Sequence, residues 1–206
     1  MQRPKIDRKL PVFLSVDEIF HLLDKIQTKD LPSQHPERDK TILEFLYATG
    51  IRCSELINIG MENLDFDEKT ILIKGKGSKE RIVLFGEKAK QQAMIYLKNE
   101  RIKPQSPQEK FFLNNRLEPM SSRAIQRIIE MFRKFLKIER KITPHKIRHT
   151  FATHLLNQGV DLRVVQELLG HKTLSSTEKY THVSTPHLVR IYDTMHPINK
   201  MTKKEE

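Results

Sequence analysis

Between Thr143 and Tyr180 the chain gathers residue types that suit one kind of chemistry: His145, Arg148, His171 and Tyr180. His145 and Arg148 stand three residues apart, which puts them on one face of a helix. Two imidazoles and a guanidinium suit a phosphate, and a phenol can serve as the nucleophile that attacks phosphorus. With an ordinary pKa of about 10, a phenol is weak at neutral pH and needs a nearby base in a strongly cationic setting. The stretch holds no Ser or Cys beside a base and no paired carboxylates, so neither acyl transfer nor glycoside hydrolysis is indicated.

The local sequence says how these groups are held. Thr143 suits a helix cap, Pro144 the first helical position, and Gly159 the left-handed residue just past the end. A short helix from Leu162 to Leu169 follows, capped by Asp161 and stopped at Gly170, with His171 next. Upstream, Ser15 and Glu18 form a capping box for a helix from Val16 to about Ile26. Lys29 to Pro36 reads as a loop before a helix from Glu37 to Ala48, with Ile42, Leu43, Phe45 and Leu46 as its buried stripe. After Thr49-Gly50 a short helix runs through Ile57. Arg52 stands at its start, where a side chain can point into a cleft, and Glu55 lies three residues on.

Asn63 to Leu84 reads as β-structure, with Ile71, Ile73, Ile82 and Leu84 in period-two alternation and turns at 67–69 and 75–78. Lys76 falls at a glycine-flanked hairpin tip that lacks the spacing of a phosphate-binding P-loop. A helix from Glu87 to Glu100, a loop to Gln108 and a short strand at Phe111–Leu113 come next. Ser121 then caps a helix over about Arg123–Lys137, with Ile125, Ile128, Ile129, Phe132 and Phe135 facing inward. A final helix starts at Pro186 and ends near 196. The fold class is therefore mostly α with a small antiparallel β-sheet.

The 206 residues allow one sizeable domain, and the net charge of +11 favours a polyanionic partner, nucleic acid ahead of membrane. No apolar run approaches the ~20 residues of a membrane span, and the N-terminal stretch lacks a signal-peptide core. A lone Cys53 supports neither a disulfide framework nor a zinc cluster, which points to a reducing, cytoplasmic location. The cations Arg133, Lys134, Lys137, Arg140 and Lys141 lead directly into the His145 helix and read as DNA-backbone contacts, with Lys74 and Lys79 on the hairpin as further candidates.

The runs HKIRHTFATHLL and LLGHKTLSSTEKYTHV, with ATGIRCSEL and KGKGSKERIV upstream, resemble the tyrosine recombinases (the integrase family), the Xer-type members most of all. The match covers nearly the whole chain, with the motifs in the family's order. The resemblance implies a recombinase catalytic-domain fold over residues 15–198, with 1–14 as a basic arm and 199–206 as a charged tail. It makes Tyr180 the nucleophile on a DNA phosphodiester, giving a 3′-phosphotyrosyl link without metal or other cofactor. Arg52 and Arg148 become the phosphate clamp, Lys76 the general acid, His145 rather than His149 the proton relay, and His171 a phosphate ligand. Glu55 takes the family's acidic position, pairing with Arg52 or bracing a histidine. His154 and the other tyrosines read as structural. Partners implied are duplex DNA and further recombinase subunits, reached through the C-terminal helix. The family's usual N-terminal DNA-clamping domain has no counterpart before Leu14, so the expectation is a catalytic fragment or a minimal enzyme. The competing readings are a type IB topoisomerase-like nicking-closing enzyme and a catalytically silent DNA-binding protein.

Overall fold

A computed structural model describes residues 13–74, 80–106, 108–169, 192 and 194–197. Seven α-helices are described: α1 (Val16–Leu23), α2 (Pro36–Thr49), α3 (Cys53–Leu56), α4 (Glu87–Asn99), α5 (Ser122–Phe135), α6 (Pro144–Asn157) and α7 (Leu162–Leu169). Between α3 and α4 run the strands β1 (Leu64–Asp65), β2 (Thr70–Lys74) and β3 (Glu80–Leu84), an antiparallel sheet in the order β1-β2-β3. Among the described residues no helix is long and apolar enough to cross a membrane.

The core is built around α2. Every residue from Thr41 to Thr49 is buried, so this helix is enclosed rather than amphipathic. On one side Phe45 meets Phe85 and Phe111 at ring-centroid distances of 5.4 and 5.7 Å, and Phe112 and Tyr96 complete that aromatic cluster. On the other side α6 crosses it, and the Tyr47 hydroxyl meets His154 Nδ1 at 2.8 Å. The remaining ring nitrogen, Nε2, lies 2.8 Å from the Leu14 carbonyl, and the Leu14 N–H donates to Thr150 Oγ1. Leu14, placed in the arm by sequence, is thus bound into the domain, as is the Phe13 carbonyl through Arg140. Tyr192 donates its hydroxyl to the Ala48 carbonyl at 2.9 Å, and the His196 ring stacks on Tyr192 and edges onto Tyr47.

Helix starts follow local chemistry. Ser15 and Glu18 make the reciprocal capping box, Ser121 Oγ accepts from Ala124 N–H, and Thr143 Oγ1 accepts from Lys146 N–H ahead of Pro144. Four expectations are corrected. α1 ends at Leu23, three residues early. Phe111–Leu113 forms no strand, only isolated bridges at Lys110 and Leu113, because its backbone pairing with Ile59–Met61 stops after the Met61 and Phe111 N–H groups. Phe135 is 39% exposed, since α5 has finished its inward stripe at Phe132. Ile82 is 52% exposed and faces away from the core: β3 turns Arg81 and Val83, opposite Ile73 and Ile71, to the inner face instead.

Candidate active site

The site begins where α2 stops. Gly50 adopts φ +60°, and a Cβ there would stand 2.5 Å from the Phe151 ring, so only glycine fits. The chain leaves it through buried Ile51 and reaches Arg52, which caps α3. Glu55, in the first turn of α3, reaches back to the Arg52 N–H at 2.8 Å through Oε2 and accepts from Arg52 Nη1 at 3.0 Å through Oε1. From β3, Arg81 forks onto the same carboxylate with Nη1 and Nη2, each at 2.8 Å. Four donors therefore fill the roughly four lone-pair positions a carboxylate offers, all of them from Arg52 and Arg81 and none from a histidine. Burial alone would raise the Glu55 pKa, but the hydrogen bonds from Arg81 and from Arg52 overcome it and hold the carboxyl down at about 2.

Arg148 arrives from α6 and is buried, at 7% exposure. Its guanidinium donates to the Gly50 carbonyl at 2.5 Å and to the Leu169 carbonyl at 2.8 Å, tying together the ends of α2 and α7. Burial, and then the like charge of Arg52, pulls its pKa down to about 10, with Glu55 opposing the change and Arg81 adding to it. Arg148 stays charged at neutral pH. Its anchor on the Gly50 carbonyl, two residues before Arg52, brings it to the corner that carries Arg52, which Glu55 joins to Arg81. Two of its five N–H donors are engaged among the described residues, which leaves donors for an anion.

His145 lies one turn before Arg148 on α6 and is exposed, as is His149; His154 is interior. Lys76, His171 and Tyr180 fall outside the described residues, as does Lys79. The structure therefore joins Arg52, Glu55 and Arg148, adds His145 by helix register, and says nothing of the other three proposed groups. Tyr47, Tyr96 and Tyr192 are all core residues, and burial raises the first two phenols, Tyr96 to about 12. Cys53 packs half-buried against the core, and burial raises its thiol pKa.

The surface cations divide. Arg133 is forked onto Glu130 and bonded to the Ile138 carbonyl at 2.6 Å, while Arg140 binds Glu18 and the Phe13 carbonyl. Both are committed within the fold. Lys134, Lys137 and Lys141 are exposed, and Lys74 is exposed beside Glu62 at 3.6 Å. A groove of about 990 Å³ lined by Arg123, Arg127, Arg133 and Lys141 opens beside the start of α6. Arg81 went unnoticed in the sequence. Its signal is the strand pattern itself: moved by one residue, the alternation puts Arg81 in line with Val83 on the inner face.

A helical domain with this small sheet, carrying one arginine at the α2–α3 corner and another on α6, has the fold of the tyrosine recombinase catalytic domain. The XerA recombinase structure superposes with TM-score 0.70 at 31% identity over 90% of this chain and 65% of its own. The XerH site-specific recombinase bound to its difH substrate superposes with TM-score 0.66 at 27% identity, over 90% and 55%. The chain belongs to the phage integrase family, whose pattern matches residues 12–187. Among curated relatives, the tyrosine recombinase XerC of Thermodesulfovibrio yellowstonii is 47% identical over 201 residues, 95% of this chain. The chain spans 66% of that relative's length.

Proposed function

We propose that this chain is a site-specific DNA recombinase that cleaves and rejoins duplex DNA through a 3′-phosphotyrosyl intermediate. The observation that carries the reading is the anchoring of Arg148, from α6, on the Gly50 carbonyl two residues before Arg52: two guanidinia from distant segments reach one corner of the fold, with donors of Arg148 left open among the described residues and His145 one turn away. A guanidinium fork matches the non-bridging oxygens of a phosphodiester, and preorganised cations stabilise the charge of a five-coordinate transition state. XerH, at 27% identity, is seen bound to its DNA substrate in a pre-cleavage complex.

In the proposed step the Tyr180 oxygen forms a bond to phosphorus while the bond from phosphorus to the 5′-oxygen breaks. His145 accepts or relays the phenol proton, Lys76 delivers a proton to the departing 5′-oxygen, and His171 hydrogen-bonds the phosphate. The phosphodiester count is unchanged, so a 5′-hydroxyl from another strand can reverse the step and restore Tyr180. Exchange between duplexes requires several copies of the chain on DNA. With Tyr192 and His196 seated on the chain's own α2 and α6, a C-terminal contact between copies would use other side chains. We place the reaction in the cytoplasm, and attribute binding mainly to counterion release by exposed lysines such as Lys134, Lys137 and Lys141, so affinity should fall steeply with salt.

A nicked suicide duplex, which loses its 5′-hydroxyl fragment after cleavage, tests this. Wild type should form a covalent protein–DNA adduct and Tyr180→Phe should form none while keeping DNA affinity; adduct from the Phe variant would remove Tyr180 as nucleophile. Arg148→Lys should keep the charge but lose about 10²–10³ in cleavage rate, because a single ammonium replaces the fork. A wild-type rate would take Arg148 out of the site.

A further inference from the structure

We propose that Arg81 is a positioning residue: it holds Glu55 so that Glu55 can hold Arg52 at the scissile phosphate. The inference rests on the cleavage reading above and adds a residue to it.

The geometry runs in one direction. Arg81 approaches from β3 and takes both oxygens of Glu55 in a planar fork, each N–H to oxygen contact at 2.8 Å. Such a fork fixes the plane of the carboxylate as well as its place. Arg52 then uses the same two oxygens, its backbone N–H on Oε2 and its side chain on Oε1. The Arg52 side chain is 47% exposed, whereas Glu55 is 10% and Arg81 18% exposed. Among the described residues the long, half-exposed Arg52 side chain bonds to Glu55, three residues away in a four-residue helix, and such a contact restrains it weakly. With Glu55 anchored from a separate strand, that contact gains a fixed end.

The partners of Arg81 also separate it from the arginines that merely knit the fold. Arg101 spreads its donors over the carbonyls of Phe111, Ile102 and Lys110 in addition to Glu109, and Arg38 reaches the Leu113 carbonyl as well as Asp39. Among the described residues Arg81 bonds to Glu55 alone, and its buried Nε meets no acceptor. Among the described residues its hydrogen bonds all go to the carboxylate that holds Arg52.

The test is a double-mutant cycle in the full 206-residue chain. Adduct formation on the nicked duplex is timed for wild type, Arg81→Lys, Arg52→Gln and the double variant, alongside thermal midpoints. Lysine keeps the charge and loses the fork. Arg81→Lys should slow cleavage about tenfold to a hundredfold, as a small misplacement of a clamping group does, without a matching loss of DNA affinity. In the Arg52→Gln background the same change should cost nothing further. A wild-type rate in Arg81→Lys, or equal losses in both backgrounds, overturns the proposal. If lysine unfolds the chain, Arg81→Gln goes through the same cycle and is judged by the same two comparisons. Independently of activity, NMR relaxation of the Arg52 side-chain N–H should show greater motion in Arg81→Lys; unchanged order also overturns it. Absence of adduct from wild type would strike the cleavage reading, while the NMR result would still decide Arg81.

Discussion

Glu44 and Glu55 stand eleven positions apart and have opposite surroundings. Glu44, within α2, is fully enclosed, and neither of its oxygens meets a hydrogen-bond donor among the described residues. Burial pushes its pKa up to about 8, with Lys40 opposing only in part, so it carries a proton at neutral pH. Glu55 is also removed from water, yet four N–H groups surround it and hold it at about 2. Enclosure neutralises the first and donors keep the second charged. A buried acid thus stays ionised where the fold supplies donors to it, and is a cost to stability where the fold does not.

Three measurements sharpen or break this contrast, taken from the largest effect down. Glu44 has a folded pKa above its unfolded one, so its stabilising contribution is complete below about 4.5 and fades as pH rises towards about 8. Glu44→Leu should abolish that dependence and gain on the order of 4 kcal/mol over wild type near pH 8 relative to pH 4.5, measured by urea unfolding at both values. Parallel curves would mean Glu44 is solvated. Glu55 has the opposite sign: its contribution is complete above about 4.5 and disappears as pH falls towards about 2. Glu55→Gln should remove on the order of 3 kcal/mol of acid-sensitive stability. An unchanged acid limb would show that Arg81 and Arg52 do not hold the ionised form. Glu130, with its side chain 39% exposed and paired with Arg133 on α5, is the control: hydrogen bonds from Arg133 lower its pKa, yet Glu130→Gln should leave the thermal midpoint where it was.

The parts of the molecule visible in the sequence are those written locally. Ser15, Ser121, Thr143-Pro144 and Gly50 marked helix ends because a cap acts within four residues of itself. Arg52, Glu55, His145 and Arg148 stood out through residue type, spacing and family resemblance. What stayed hidden depends on long-range contacts. The carbonyl that receives Arg148 lies 98 residues away, and the arginine that anchors Glu55 lies 26 away. An alternating pattern also assumes that cations face water, so it put Ile82 inside and Arg81 outside, the reverse of what an inward ion pair requires. Arg140 looked like free surface charge because its partner Glu18 lies 122 residues away, whereas Arg133 had a legible partner in Glu130, three residues before it on the same helix.

One peptide unit, at Gly50, serves both arginines. Its oxygen receives Arg148, and two residues later the same run of backbone carries Arg52. One corner of the chain thus receives the first guanidinium and carries the backbone of the second. Any side chain at position 50 would be driven into Phe151, which would disturb the carbonyl that holds Arg148 and the backbone that leads to Arg52.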